Sequence, residues 1–205
     1  MRKIAILIAL AAAAGCSGKP SRVTGPDIDG AKAAAAAIAE YDGNGDGVLE
    51  SAELTAAPEL AAVLSRYDGD GDARLSGSEL AAGIDRWSDG KVGLLPWAYQ
   101  VTLNGRPLSG AEVKLVPATY LGDAVKLATS TSDSAGRGSL AISPDEMPAN
   151  APKRPLVQPG LYRVEITHPT SSIPDKYNAA TTLGLEVSAE TSSPTGTIWA
   201  LTGGG

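Results

Sequence analysis

Tyr41-Asp42-Gly43-Asn44-Gly45-Asp46-Gly47-Val48-Leu49-Glu50-Ser51-Ala52-Glu53-Leu54 returns 26 residues later as Tyr67-Asp68-Gly69-Asp70-Gly71-Asp72-Ala73-Arg74-Leu75-Ser76-Gly77-Ser78-Glu79-Leu80, with eight of the fourteen positions identical. Each copy sets acidic or amide side chains at alternate positions among glycines and then places a glutamate eleven residues after its first aspartate. The flanks carry helical periodicity. Leu60, Val63, Leu64 and Tyr67 recur at i, i+3, i+4 and i+7, which predicts one helix face running into the second copy. Leu80, Ile84 and Trp87 continue the pattern out of it. Ala31–Tyr41 consists of strong helix formers, with Asp27 or Asp29 as a cap. Pro58 ends the helix after the first copy and opens the next.

The two copies resemble the EF-hand calcium loop, D-x-[DN]-x-[DN]-G with Glu at position twelve. Calcium takes 6–8 oxygen ligands at 2.3–2.6 Å, so side chains at positions 1, 3 and 5, a carbonyl at 7, a group at 9 and a bidentate Glu at 12 converge on one point. In the first loop these are Asp42, Asn44, Asp46, the Val48 carbonyl, Glu50 and Glu53. In the second they are Asp68, Asp70, Asp72, the Arg74 carbonyl, Ser76 and Glu79. Two calcium ions are the expected cofactors. Leu49 and Leu75, at position 8, are expected on a short strand joining the loops. Position 6 demands a positive φ. Gly47 meets that freely and Ala73 only at a cost of about 1 kcal/mol. Leu54–Tyr67 leaves fourteen residues between the loops, so the middle helices must be short, and a filled structural pair is expected over a switch that opens widely.

Charge follows the same division. The chain has 17 basic and 23 acidic residues. Ala31–Gly90 holds 4 basic against 12 acidic residues, whereas Lys91–Gly205 holds 9 of each. That balance speaks against a nucleic-acid partner. Cys16 is the only cysteine and His168 the only histidine, so an intrachain disulfide and a His-pair or Cys-cluster zinc site are excluded.

From Tyr99 the pattern turns to short β-branched runs between Gly, Pro, Asn and Asp. The expected strands are Tyr99–Leu103, Ala111–Val116, Leu127–Ser132, Gly138–Ile142, Leu161–His168, Leu183–Ser188 and Thr197–Leu201, with turns at Asn104-Gly105 and Asp133–Gly136. Ser143–Pro159, with five prolines, is expected to be irregular. Val101-Thr102-Leu103-Asn104-Gly105-Arg106-Pro107-Leu108-Ser109-Gly110-Ala111-Glu112-Val113, Thr131–Leu140, Pro159-Gly160-Leu161-Tyr162-Arg163-Val164 and Ile173-Pro174-Asp175-Lys176-Tyr177 resemble the carboxypeptidase-regulatory-like, transthyretin-like domains of bacterial envelope lipoproteins. The resemblance implies an accessory sandwich with no catalytic residue.

At the start, Arg2 and Lys3 precede the apolar run Ile4–Ala14, too short to span a bilayer. Ala13-Ala14-Gly15-Cys16 resembles a bacterial lipobox, which implies cleavage before Cys16, lipidation of its sulfur and a membrane anchor. Ser17 in place of an aspartate implies sorting to the outer membrane.

The expected architecture is therefore α+β in two domains. Residues 1–15 are a lipoprotein signal peptide, 16–30 a linker, 31–90 a small α-helical EF-hand pair, and 91–205 an all-β, seven-stranded, prealbumin-like sandwich. The expected function is calcium binding in an envelope lipoprotein, with the sandwich facing an envelope partner. One alternative is a glycan- or ligand-binding sandwich that uses Trp87, Trp97 or Trp199; their default role is packing where the two halves dock. The other is a hydrolase built on His168 with Ser171, Ser172 or Asp175, although a lone strand-end histidine reads first as an edge residue.

Overall fold

A computed structural model describes residues 23–90, 92–193 and 195–203; the expected signal peptide and Cys16 lie outside them. The fold is α+β. Its first part comprises α1 (Gly30–Tyr41), β1 (Val48–Leu49), α2 (Ser51–Leu54), α3 (Pro58–Ala61), α4 (Leu64–Tyr67), β2 (Leu75–Ser76) and α5 (Gly77–Ser88). Asp29 caps α1 by accepting the Lys32 N–H. Ala33, Ala34 and Ala37 are buried and let α1 lie close along α5, whose Leu80, Gly83, Ile84 and Trp87 face inward.

The single helix expected from Leu60 to Tyr67 is instead two single turns, α3 and α4. At Val63 the backbone N–H bonds back three residues to Leu60 rather than four, and the break lets the two turns face different neighbours. Leu60 sits on α3, which packs on the sheet; Tyr67 ends α4, which packs on α5. Pro58 opens α3, where its missing N–H costs nothing.

The second part contains β3 (Trp97–Leu103), β4 (Arg106–Pro107), β5 (Glu112–Pro117), β6 (Ala128–Thr131), β7 (Arg137–Ile142), β8 (Gly160–Thr167), β9 (Gly184–Val187) and β10 (Thr197–Leu201). All seven expected strands are present, with ends within two residues of those read from the pattern. The eighth, β4, follows the Asn104-Gly105 turn, where both residues have positive φ (51° and 78°) as a two-residue hairpin requires. The seven-stranded, two-sheet sandwich is corrected on two points, the strand number and the number of sheets. The strands form one curled sheet in the order β10-β3-β7-β6-β5-β8-β9, with β4 on β3. Continuity comes from β7, which pairs with β3 through Arg137–Leu140 and with β6 through Ala141 and Ile142. One strand thus serves both halves of a sandwich-like fold. The Ser143–Pro159 segment is irregular apart from a 3₁₀ turn at Pro144–Glu146 and a bridge from Leu95 to Val157.

The two parts share one continuous core. Docking is not confined to the Trp87–Trp97 boundary expected for it: Trp87 donates to Tyr67, whose hydroxyl donates in turn to Glu186 on β9, and Trp97 bonds to Thr197 within the sheet. Docking runs through α3 against β8 and β9, and through α1 against the 3₁₀ segment Thr119–Ala124. There Tyr41 meets Tyr120 edge to face, 6.4 Å between ring centroids, and Thr119 donates to Glu40 at 2.5 Å.

Glu59, on α3, is fully buried at this seam. Its Oε1 accepts from the Tyr41 hydroxyl at 3.3 Å, and its Oε2 has no hydrogen-bond partner. Burial pushes its carboxyl above the usual range, partly opposed by Arg163 on β8 and reinforced by Glu40 on α1. A pKa higher in the folded than in the unfolded chain makes this group's contribution fully present below the unfolded pKa and progressively lost as pH rises through the folded one. Glu59→Gln is therefore expected to raise the melting temperature at pH 7, with the gain shrinking to nothing on acidification below about pH 4. Paired melts of the two proteins across that range check the direction.

Candidate metal centre

Both loops are built by the same hydrogen bonds at the same positions. In the first, Asp42 Oδ1 accepts from Gly45 N–H (2.7 Å) and Oδ2 from Gly47 N–H (2.9 Å); Asn44 Oδ1 accepts from Asp46 N–H (2.8 Å) and Asp46 Oδ1 from Val48 N–H (3.1 Å). In the second, Asp68 Oδ1 accepts from Gly71 (2.7 Å) and Oδ2 from Ala73 (2.9 Å), Asp70 Oδ1 from Asp72 (3.2 Å) and Asp72 Oδ1 from Arg74 (2.9 Å). The closing glutamates match as well. Glu53 Oε1 accepts from Gly43 (2.8 Å) and Oε2 from Glu50 (3.0 Å); Glu79 Oε1 accepts from Gly69 (2.8 Å) and Oε2 from Ser76 (2.9 Å). The glutamate at position 12 thereby ties the start of its loop to the start of the helix that leaves it.

Hydrogen bonding favours the ionised form of two of these groups. Backbone N–H groups, that of Gly47 foremost, hold the Asp42 carboxyl below its ordinary range. The Ser76 backbone N–H and then its hydroxyl do the same for Glu79.

Among the described residues, Asp68, Asp70 and Glu79 bring one carboxylate oxygen each within 4.8 Å of one another. Oxygens bound to a common ion at 2.3–2.6 Å lie at most about 5 Å apart, so the spacing suits one hard divalent cation. The donors are oxygens throughout, which is the chemistry calcium takes. In the first loop Asn44 stands where Asp70 stands in the second. Position 9 is used differently: Ser76 Oγ donates to Glu79 Oε2 at 2.8 Å, and Glu50 Oε1 lies 3.6 Å from Arg74 Nη1. Arg74 also approaches Asp72 at 3.6 Å, so a cation of the second loop spans both loops.

Leu49 and Leu75 pair directly in the antiparallel β1–β2 ribbon, both fully buried, and Val48 lies opposite Ser76. Gly47 has φ +86° and Ala73 +64°, so the alanine occupies the left-handed region its position requires. Ala73→Gly removes that strain, offset in part by the greater freedom of glycine in the unfolded chain. A gain of about 0.5–1 kcal/mol is expected, read as a small rise in melting temperature.

The remaining candidates have other work. His168 Nε2 lies 2.8 Å from the Ser109 carbonyl and Nδ1 accepts from the backbone of Thr170 (3.1 Å) and Ser171 (2.8 Å), so both ring nitrogens anchor loops and neither faces a serine hydroxyl. Trp87, Trp97 and Trp199 are all buried, as their default packing role requires, and the alternative of an indole platform for a sugar has no exposed ring to rest on at these three positions.

Sequence reading passed over the side chains beneath the second loop. Tyr67 donates to Glu186 Oε2 at 2.9 Å and accepts from Trp87 Nε1 at 3.0 Å, and Arg66 pairs with the same Glu186 oxygen. Burial, with Glu186 beside it, pushes the Tyr67 hydroxyl far above its usual range, so it remains a donor. Its one visible signal was the tyrosine preceding the first aspartate in both copies of the repeat.

Fold and loops together define an α+β protein that carries two tandem acidic loops on a helical platform docked to a curled sheet. No family model and no curated protein matches the chain. Among solved structures, a DUF3823 family protein from Parabacteroides merdae superposes on 53% of this chain and 45% of its own, at 14% identity and a TM-score of 0.31. The chain thus covers less than half of that protein, and so partial a superposition assigns no activity or partner.

Proposed function

We propose that this chain binds two calcium ions, one in each loop of an EF-hand pair, and that the ions are structural. The observation that carries the reading is the correspondence of the two loops: oxygen side chains at positions 1, 3, 5 and 12, each held by the equivalent backbone N–H. Eight carboxylates (Asp42, Asp46, Glu50, Glu53, Asp68, Asp70, Asp72 and Glu79) stand in two loops joined by one short ribbon, and they repel one another. Bound calcium supplies positive charge that offsets this repulsion. The chain's own part is to hold the oxygens ready, since Glu53 and Glu79 are already fixed by loop and helix N–H groups. The β1–β2 ribbon ties the loops together, and the short α2, α3 and α4 leave little room for a large opening movement.

The site belongs, in this reading, to an envelope lipoprotein anchored through lipid on Cys16 in the outer membrane, with the sheet presented to an envelope partner. Extracytoplasmic calcium modules work with Kd values of about 10⁻⁴–10⁻³ M. Binding to the folded state alone stabilises by RT ln(1 + [L]/Kd), about 2.7 kcal/mol per site at a hundredfold excess.

Calorimetric titration of the full chain in detergent, with magnesium as competitor and parallel melts in calcium and in EDTA, tests the proposal. Two calcium sites, a higher melting temperature in calcium and the loss of one site in Glu53→Gln are the expected results. Absence of heat and of any melting shift at millimolar calcium would reduce the loops to Asp/Gly turns.

A further inference from the structure

Each loop is entered through a tyrosine whose hydroxyl reaches a buried carboxylate, and the two carboxylates belong to different parts of the fold. Tyr41 donates to Glu59 on α3, inside the helical part. Tyr67 donates to Glu186 on β9, a strand of the sheet, 119 residues along the chain. The helices that lead into the loops differ as well. Asp42 follows the twelve-residue α1, capped by Asp29 and packed along α5, whereas Asp68 follows the four-residue α4. An isolated single turn has no stability of its own, because nucleation costs more than one turn's hydrogen bonds return. The position of Asp68 therefore depends on what holds α4 from outside.

What holds it converges on Tyr67. Trp87 donates to its hydroxyl oxygen from α5, Glu186 accepts its proton, and Arg66 pairs with the same Glu186 oxygen. Its ring lies against Gly83 so closely that a Cβ there would stand 2.2 Å from the ring carbons. Glu186 and Tyr67 are 6% and 3% exposed, so water does not replace these bonds.

We propose that Glu186 is a positioning residue for the second metal loop: through Tyr67 the sheet sets the backbone at Asp68, the first ligand of that loop, whereas the first loop follows a twelve-residue helix whose tyrosine donates within the helical part and which touches the sheet part at Tyr120 and Thr119, not at Glu186. The inference rests on the calcium reading above and adds that the two sites differ in their dependence on Glu186. Loss of this buried, charge-assisted hydrogen bond is expected to weaken the second site about tenfold, or about 1.4 kcal/mol.

The test is calcium calorimetry on the full chain in two backgrounds, Glu79→Gln with only the first loop competent and Glu53→Gln with only the second. Tyr67→Phe removes the hydroxyl and leaves the ring; Glu186→Gln keeps the shape and an acceptor and removes the charge, which serves if the first variant folds poorly. In the Glu53→Gln background either change is expected to weaken calcium about tenfold, and in the Glu79→Gln background to leave it unchanged. A purely structural role would lower the melting temperature in EDTA without separating the two backgrounds. Equal affinities, or equal losses in both, overturn the inference while the calcium reading stands. No calcium binding in the unmodified Glu53→Gln chain overturns the calcium reading of the second loop, and the inference with it.

Discussion

Gly184→Ala is expected to lower the melting temperature by about 6–12 °C, because among the described glycines an added Cβ meets its closest neighbour here. A Cβ built on Gly184 stands 1.9 Å from the Pro58 carbonyl oxygen, 2.4 Å from its carbon and 2.6 Å from Glu59 Cα. All three are backbone atoms, so no side chain can swing away and the whole of α3 must retreat from β9. The φ of Gly184 is one that any residue adopts, which makes the effect steric and not conformational. Overpacking of this kind costs about 3 kcal/mol or more, and for a chain of this size each kcal/mol moves the melting point by about 2–4 °C. Retreat of α3 also loosens the seam that buries Glu59 and Glu186. Gly77→Ala is the control, since a Cβ there meets nothing within 4 Å and α5 begins at that residue. Thermal melts of the two variants beside the parent decide it; equal melting points would show that the helical part is not seated on β9 as described.

The second large effect belongs to the ribbon between the loops. Leu49 and Leu75 are fully buried and directly paired, at position 8 of their loops. Leu75→Ala removes three buried carbons from a site bounded by the ribbon and α5, which cannot collapse to fill the space without moving a loop. A loss of about 2–5 kcal/mol is expected, by transfer and cavity terms together. Because β1 and β2 have two residues each, the ribbon has little beyond this pair to hold it, and on the calcium reading proposed above the change should also weaken calcium at both loops. Leu75→Met, close to volume-conserving, should cost less than about 1.5 kcal/mol. Chemical denaturation of the three proteins with and without calcium separates stability from ion binding, and an unchanged midpoint in Leu75→Ala would contradict the packing of the ribbon.

Much of the fold is legible where the pattern is local. The loop register was written in the 26-residue repeat, and the seven strands in alternations such as Tyr162, Val164 and Ile166 against Arg163, Glu165 and Thr167. The Asn104-Gly105 hairpin and the Asp29 cap rest on residues adjacent in sequence, which is why they could be read. The break between α3 and α4 could not. The Leu60–Tyr67 periodicity is helical throughout, and only the need to seat α3 on the sheet and α4 on α5 divides it. The parallel pairing of β10 with β3 and the shared strand β7 leave no local mark, because any strand of suitable pattern satisfies either partner.

The same division separates the parts of the site. The sequence by itself determined which side-chain oxygens turn into each loop, because side-chain spacing in a twelve-residue loop is a matter of short-range backbone geometry. It also determined the left-handed residue at Ala73. Only the tertiary structure decided that the second loop leans on Glu186 and the first on Glu59. Those contacts join Tyr67 to a residue 119 positions away and Tyr41 to one 18 positions away, beyond the first loop and α2, and a buried carboxylate is chosen by what packs around it, which no spacing along the chain records.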